Sequence, residues 1–317
     1  MLSISMSKEA LNVALNVALN VVPNALLYSE RSADEYIENT WEELGVEHKW
    51  KNAFVCVHMM TNRGTLLEMV ERPNWGLACY MDNAIQSCEV DEHIYHEALV
   101  HPAMQSVLKN KKRVMIIGGG EGATAREVLK WKADQVEQVD MYEWDKDVVQ
   151  LFKKKYPQWA KGAWNDTRLT IYHDDIFEII MKSPKKYDVI IIDLFDPSVE
   201  TTVQWYILLK SISNWITPEG SIVMYSGMRN ILMKQQAYHI LYDIITGHRE
   251  DVNGSLVNTL LKDREIVMYR TFIPSFSGES TFLLIKNKEE IEWNLNENKI
   301  ESHMTDRIWD SYRTFNY

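Results

Sequence analysis

The 317-residue chain predicts a doubly wound α/β protein with a parallel sheet, preceded by a small antiparallel β domain. Three observations carry that expectation. Apolar runs at 114–117, 138–142, 169–173, 187–192 and 221–225 alternate with helix-length stretches such as 123–131, 146–156 and 203–215. Such alternation implies βα crossovers, and strands covered on both faces read as nearly continuous hydrophobics. Between 52 and 90 the apolar runs are short and punctuated by Arg63-Gly64, Arg72-Pro73-Asn74 and Met81-Asp82-Asn83, the pattern of hairpins. Finally, the run beginning at Val114 ends in Gly118-Gly119-Gly120-Glu121-Gly122 and a helix-like segment, the order strand, glycine turn, helix.

In chain order, residues 1–50 read as a lead-in, partly helical or disordered. Its tandem Leu-Asn-Val-Ala is interrupted by Asn12, Asn16 and Asn20, and Lys8 and Glu9 make a poor start for a targeting signal. Residues 51–105 form the hairpin domain and a linker helix, whose periodicity is broken at His101-Pro102. Residues 106–290 form the doubly wound domain, closed by a late antiparallel pair at 266–269 and 281–286. Residues 291–317 read as a polar, acidic tail with scattered aromatics.

Composition narrows the function classes. At 46% hydrophobic and 25% charged the chain is that of a soluble globular protein, and no apolar run is long enough to span a membrane. A formal charge of -11 opposes nucleic-acid and anionic-membrane partners and suits a small cationic ligand. Cys56, Cys79 and Cys88 form neither a disulfide framework nor a metal-ligand spacing, so the expectation is a reduced, cytoplasmic chain without a metal.

In open α/β sheets ligands bind beyond the carboxyl ends of the strands. Here those positions are repeatedly acidic: Glu121 after the first run, Glu143 after the second, Asp174 and Asp175 after the third, Asp193 and Asp196 after the fourth. Gly118, Gly120 and Ala123 fit G-x-G-x-x-G/A, and Glu143 lies where an acid accepts from ribose hydroxyls. Nucleoside binding follows, in a Rossmann-like site. Asp174 is the expected partner of an adenine amino group, or else a cap for the helix at Ile176. A carboxylate in the glycine loop repels a pyrophosphate. Glu121 therefore disfavours a dinucleotide and suits a phosphate-free adenosyl sulfonium.

Four stretches, "DNAIQSCEVDEHIYHEALVHPA", "GGGEGATAREVLK", "YEWDKDVVQLFKK" and "DVIIIDLFDP", stand in this order within a region from about Gly64 to Lys286. Together they resemble the polyamine aminopropyltransferases, the spermidine, spermine and thermospermine synthases, on a methyltransferase-type fold. The resemblance implies decarboxylated S-adenosylmethionine as co-substrate, with no permanently bound cofactor. Glu121 would pair with its aminopropyl ammonium and repel the carboxylate of intact S-adenosylmethionine. It further implies that Asp193 is the general base, that Asp196 positions the polyamine, and that Tyr95 orients the attacking nitrogen. Gln86 and His96 would contact the co-substrate, Phe276 would line the acceptor path, and the working form would be a homodimer or homotetramer. From the residues alone Tyr95 is equally an ordinary core aromatic, and Asp193 equally a strand-end cap. Thr65 stands where many members have glutamine, and the gate after the acids is only Ser198–Thr202. The loop motifs look closest to thermospermine synthases, which makes spermidine the expected acceptor and putrescine the alternative. The competing readings are a methyltransferase on the same fold and a non-catalytic subunit derived from an enzyme.

Overall fold

The computed structural model describes residues 30–180, 185–229, 232, 236–248, 256–289, 291, 295 and 300–314. The tandem Leu-Asn-Val-Ala stretch lies outside them. Five antiparallel strands, β1 (Arg31–Glu38), β2 (His48–Met60), β3 (Leu66–Arg72), β4 (Gly76–Met81) and β5 (Ala84–Cys88), form a meander in that order. Its first strand and the turn at Glu42–Leu44 fall inside the expected lead-in, so the β domain begins about twenty residues before 51. β1 escapes sequence reading because its buried positions, Ala33, Tyr36 and Glu38, are interleaved with the charged Asp34 and Glu35 and the exposed Ile37, and one of them is itself charged. Glu38 is held there by the Trp50 indole, which donates to it at 2.9 Å, and by His48 at 2.9 Å.

The second sheet has seven strands: β6 (Lys112–Gly118), β7 (Val136–Tyr142), β8 (Leu169–Tyr172), β9 (Tyr187–Asp193), β10 (Ile216–Arg229), β11 (Arg264–Ile273) and β12 (Gly278–Asn287). Their order is β11-β12-β10-β9-β6-β7-β8, with β8, β7, β6, β9 and β10 parallel and the β12–β10 and β12–β11 pairings antiparallel. The expected topology and its antiparallel closure are both present. The switch point lies at β6, whose neighbours β7 and β9 carry the chain in opposite directions across the sheet.

Period-two alternation places Val114, Ile116, Val189, Ile191 and Val223 on one face. They pack under α1 (Glu92–Gln105) and α2 (Ala123–Leu129). Met115, Ile117, Ile190, Ile192 and Met224 pack on the other face against α5 (Thr202–Ile212) and α6 (Ala237–Thr246). The hairpin sheet docks on α3 (Lys146–Lys155) through Val57, Met59, Leu67 and Met69 against Val148, Leu151 and Phe152. Shorter helices α4 (Ile176–Ile179) and α7 (Val257–Leu260) complete the layers.

Two expectations are corrected here. The helix α1, which joins β5 to β6, is not broken at His101-Pro102: it runs through Pro102 and is buried on nearly every side. Pro102 has no N–H for the Ala98 carbonyl, which is the usual reason for a break. Tyr269 supplies the missing donor, its hydroxyl reaching that carbonyl at 2.8 Å, and the Ser221 hydroxyl serves the Ala103 carbonyl at 2.9 Å. The tail is also more than polar overhang. Helix α8 (Asp306–Arg313), capped by Thr305, sets Trp309 against Tyr269 with ring centroids 4.9 Å apart.

Candidate active site

A cleft of about 750 Å³ opens where the carboxyl ends of the parallel strands meet the hairpin sheet. Gln86, Tyr95, His96, Gly118, Gly120, Glu121, Glu143, Asp174, Asp175, Asp193, Asp196 and Phe276 all line it. Every candidate site residue read from the sequence is therefore brought to one place.

The glycine loop makes this convergence possible. Gly118 sits at φ +89° beside Asp193 in the β6–β9 register, and a Cβ there would lie 2.0 Å from the Asp193 carbonyl oxygen. At Gly120 a Cβ would meet Val148 at 2.9 Å and the Glu143 carboxylate at 3.0 Å. Only glycine lets the loop lie flat enough to bring both acids to the cleft.

Asp193 ends β9 with both oxygens engaged: the Tyr95 hydroxyl donates to one at 2.7 Å and the Thr124 hydroxyl to the other at 2.8 Å. It thus stands at the strand end, as expected, but tied to α1 and α2 rather than loose at the surface. Burial, then the Asp193 charge, push the Tyr95 phenol well above its ordinary pKa, so it remains a donor. Tyr95 is packed edge-on against Tyr225 and tilted against Phe276, with centroids 5.5 and 6.2 Å away. The Tyr225 hydroxyl is tied to Asp196, and burial followed by that charge raises its pKa well above the ordinary value. Phe276 is fixed from behind, its carbonyl accepting from the Trp41 indole at 2.9 Å.

On the other side of the cleft Glu143 accepts the Asp145 backbone N–H at 2.8 Å. Burial, with Asp145 and Asp193 adding like charge, pushes its carboxyl up to about 7. Asp175, not Asp174, caps α4 by accepting from Phe177 N–H at 2.9 Å, while Asp174 lies exposed on the wall. Glu121 is paired with His96, Oε1 to Nε2 at 2.8 Å, an ion-pair contact rather than an in-line hydrogen bond. Its side chain is 12% exposed, and burial raises its pKa while His96 draws it down. Gln86 is exposed at the rim, and Thr65 also reaches the lining. The gate segment is a compact turn in which the Ser198 N–H donates to the Thr201 hydroxyl at 2.9 Å, leading directly into α5.

Sequence reading missed Tyr225, Thr124 and Tyr142. Tyr225 passed for the last apolar residue of its run, an aromatic that reads equally as core. Tyr142 lines the cleft with its ring stacked on Tyr172, centroids 4.7 Å apart and planes 14° from parallel.

Comparison with known proteins places this geometry. Residues 92–294 match the spermine/spermidine synthase domain. A polyamine aminopropyltransferase of Saccharolobus solfataricus is 32% identical over 246 residues, 76% of this chain and 74% of that protein. Polyamine aminopropyltransferase 1 of Hyperthermus butylicus is 35% identical over 241 residues, 72% of this chain and 76% of that one. Among solved structures, spermidine synthase from Thermotoga maritima superposes with a TM-score of 0.66 at 21% identity, over 93% of this chain and 100% of that one. A spermidine synthase in complex with the transition state analogue AdoDATO gives 0.68 at 20% identity, with the same coverage.

Proposed function

The chain belongs to the spermine/spermidine synthase family of aminopropyltransferases, and we propose that spermidine is its favoured acceptor and Asp193 its general base. The reaction carries the aminopropyl group of decarboxylated S-adenosylmethionine to a polyamine. The acceptor nitrogen attacks the carbon next to sulfur, the carbon–sulfur bond breaks, and methylthioadenosine leaves with the electron pair. An alkyl ammonium titrates near 10, like lysine, so the attacking nitrogen must shed a proton. Asp193 accepts it, held for that purpose by the Tyr95 and Thr124 hydroxyls.

The observation that carries the reading is the gathering of Asp193, Glu121 and Glu143 in one cleft, with no Lys or Arg among the described residues that line it. An acidic cleft suits a cationic sulfonium, a terminal ammonium and a polyamine together. Glu143 takes the ribose hydroxyls, Asp174 and Asp175 the adenine end, and Glu121 the aminopropyl ammonium. Asp196, with Tyr225, takes a distal ammonium of the acceptor. Spermidine offers one more cationic nitrogen than putrescine to such acids, and each charge-assisted contact contributes about 1.5–3 kcal/mol. The short turn at Ser198 leaves the Asp196 end open to a longer amine. By the same resemblance the working form is a cytoplasmic homodimer or homotetramer.

The test is incubation with decarboxylated S-adenosylmethionine and a panel of diamines and triamines, with products separated by chromatography. A tetraamine from spermidine, at a kcat/KM no lower than that for putrescine, is expected. Exclusive use of putrescine overturns the acceptor assignment. Tighter binding of intact S-adenosylmethionine overturns the co-substrate.

A further inference from the structure

Behind Glu121 lies a chain of buried charges. Glu92, in the first turn of α1, receives both ends of the Arg126 guanidinium at 2.8 Å. The same Glu92 holds His96: Nδ1 lies 2.8 Å from its carboxylate and 2.7 Å from its carbonyl oxygen. The opposite nitrogen of the ring lies 2.8 Å from Glu121. His96 is thus flanked on both nitrogens by carboxylate or carbonyl oxygens, and with Glu92 and Glu121 ionised these can only accept, an arrangement that suits an imidazolium. His96 lines the cleft beside Glu121.

We propose that Glu92 and Arg126, neither of which lines the cleft, are positioning residues that fix His96 as a cation behind Glu121 and thereby set the preference for the decarboxylated co-substrate. The inference rests on the reading of Glu121 as the acid that faces the aminopropyl ammonium.

The physical reason is the charge state of a half-enclosed carboxylate. Burial favours the protonated form of Glu121, and Glu92 and Asp193 push the same way, whereas His96 holds it ionised. Burial also opposes a charged His96, yet the two flanking carboxylates more than offset it and raise its pKa well above the ordinary value. Arg126 in turn keeps Glu92 ionised: burial would raise that carboxyl, but His96 and Arg126 draw it down to about 2. Remove the Glu92 charge and the imidazolium loses one of its two anions. Glu121 then takes up the proton, loses its pull on an ammonium, and ceases to repel the carboxylate of intact S-adenosylmethionine.

The experiment measures three dissociation constants by calorimetry on the full chain: decarboxylated S-adenosylmethionine, intact S-adenosylmethionine and methylthioadenosine. The last lacks the aminopropyl arm and reports the nucleoside site alone. In Glu92→Gln the ratio of the first two constants is expected to narrow at least fivefold, while methylthioadenosine affinity stays within twofold. Glu92→Asp should restore part of the ratio. Where Glu92→Gln does not fold, His96→Gln decides, with the same narrowing expected. An unchanged or widened ratio, or equal weakening of all three ligands, overturns the inference. A wild type with no preference for the decarboxylated form overturns instead the reading of Glu121 on which it rests.

Discussion

The two sides of the cleft are built by different means. The side proposed above to hold the nucleoside comes from consecutive strand ends, Gly118–Glu121 after β6, Glu143 after β7 and Asp174-Asp175 after β8, each delivered by a short local turn. The acceptor side is assembled from Tyr95 on α1, Asp196 after β9, Tyr225 within β10 and Phe276 in the β11–β12 turn, across 181 residues of sequence. One is written as motifs; the other exists only once the chain has folded. Exposure varies within each side: on the first, Glu121 and Glu143 are largely enclosed while Asp174 lies open, and on the second, Tyr95, Tyr225 and Phe276 are buried while Asp196 is exposed.

The mutation with the largest expected effect is at the seam between the two sides. Asp193→Asn should lower kcat at least about a hundredfold, the scale of losing a general base, with methylthioadenosine affinity within about twofold of wild type. Steady-state rates beside calorimetry separate these. Equal losses in both would mean that Asp193 belongs to the nucleoside side and not to the seam.

A second substitution should touch the acceptor side alone. Tyr225→Phe removes the hydroxyl that meets Asp196. Without that hydroxyl Asp196 is less firmly held where it is proposed to meet the polyamine, so the polyamine KM should rise by a few-fold. The KM of the co-substrate should not move. Parallel rises in both constants would dissolve the division between the two sides.

The nucleoside side has its own signature in pH. Burial pushes the Glu143 carboxyl up to about 7, and in the role proposed above it serves a ribose diol as an acceptor. Below that value the protonated form dominates, so methylthioadenosine should bind more tightly as pH rises, by about tenfold between about pH 6 and about pH 8 for one group. In Glu143→Gln the slope should vanish and the affinity should stay at or below the low-pH value. A slope that persists in the variant would assign the titration to another group.

Legibility follows the same line. Parallel strands were readable because double-sided burial leaves an uninterrupted apolar run, and their acids were readable because the switch-point geometry fixes where chemistry sits. Tyr225 was hidden because an aromatic at the end of an apolar run is equally a core residue, and only the fold brings Asp196 to its hydroxyl. β1 was hidden because its buried Glu38 breaks the period, and only Trp50 and His48 on the next strand make that burial tolerable. The Pro102 expectation failed for the same kind of reason. A proline predicts a break from local chemistry, and the remedy lies 167 residues away in Tyr269.

That remedy supplies the smallest expected effect and the control for the comparison. Helix α1 carries Tyr95 and His96 to the two sides on adjacent residues, so the helix serves both. Tyr269→Phe leaves the Ala98 carbonyl without the donor that Pro102 cannot provide, while keeping the ring stacked on Phe282 at 5.2 Å. Loss of one neutral hydrogen bond costs about 1 kcal/mol, because the carbonyl is left buried and unpaired. For a domain of this size that is a drop of roughly 2–4 °C in Tm, read by calorimetric melting. If α1 moves as a rigid rod, the KM values for co-substrate and polyamine should shift together and by less than about twofold, since no group in contact with either ligand has changed. A selective rise in the polyamine KM would instead mean that the Pro102 turn flexes toward Tyr95 alone, and that the two sides of the cleft are separable even within a single helix.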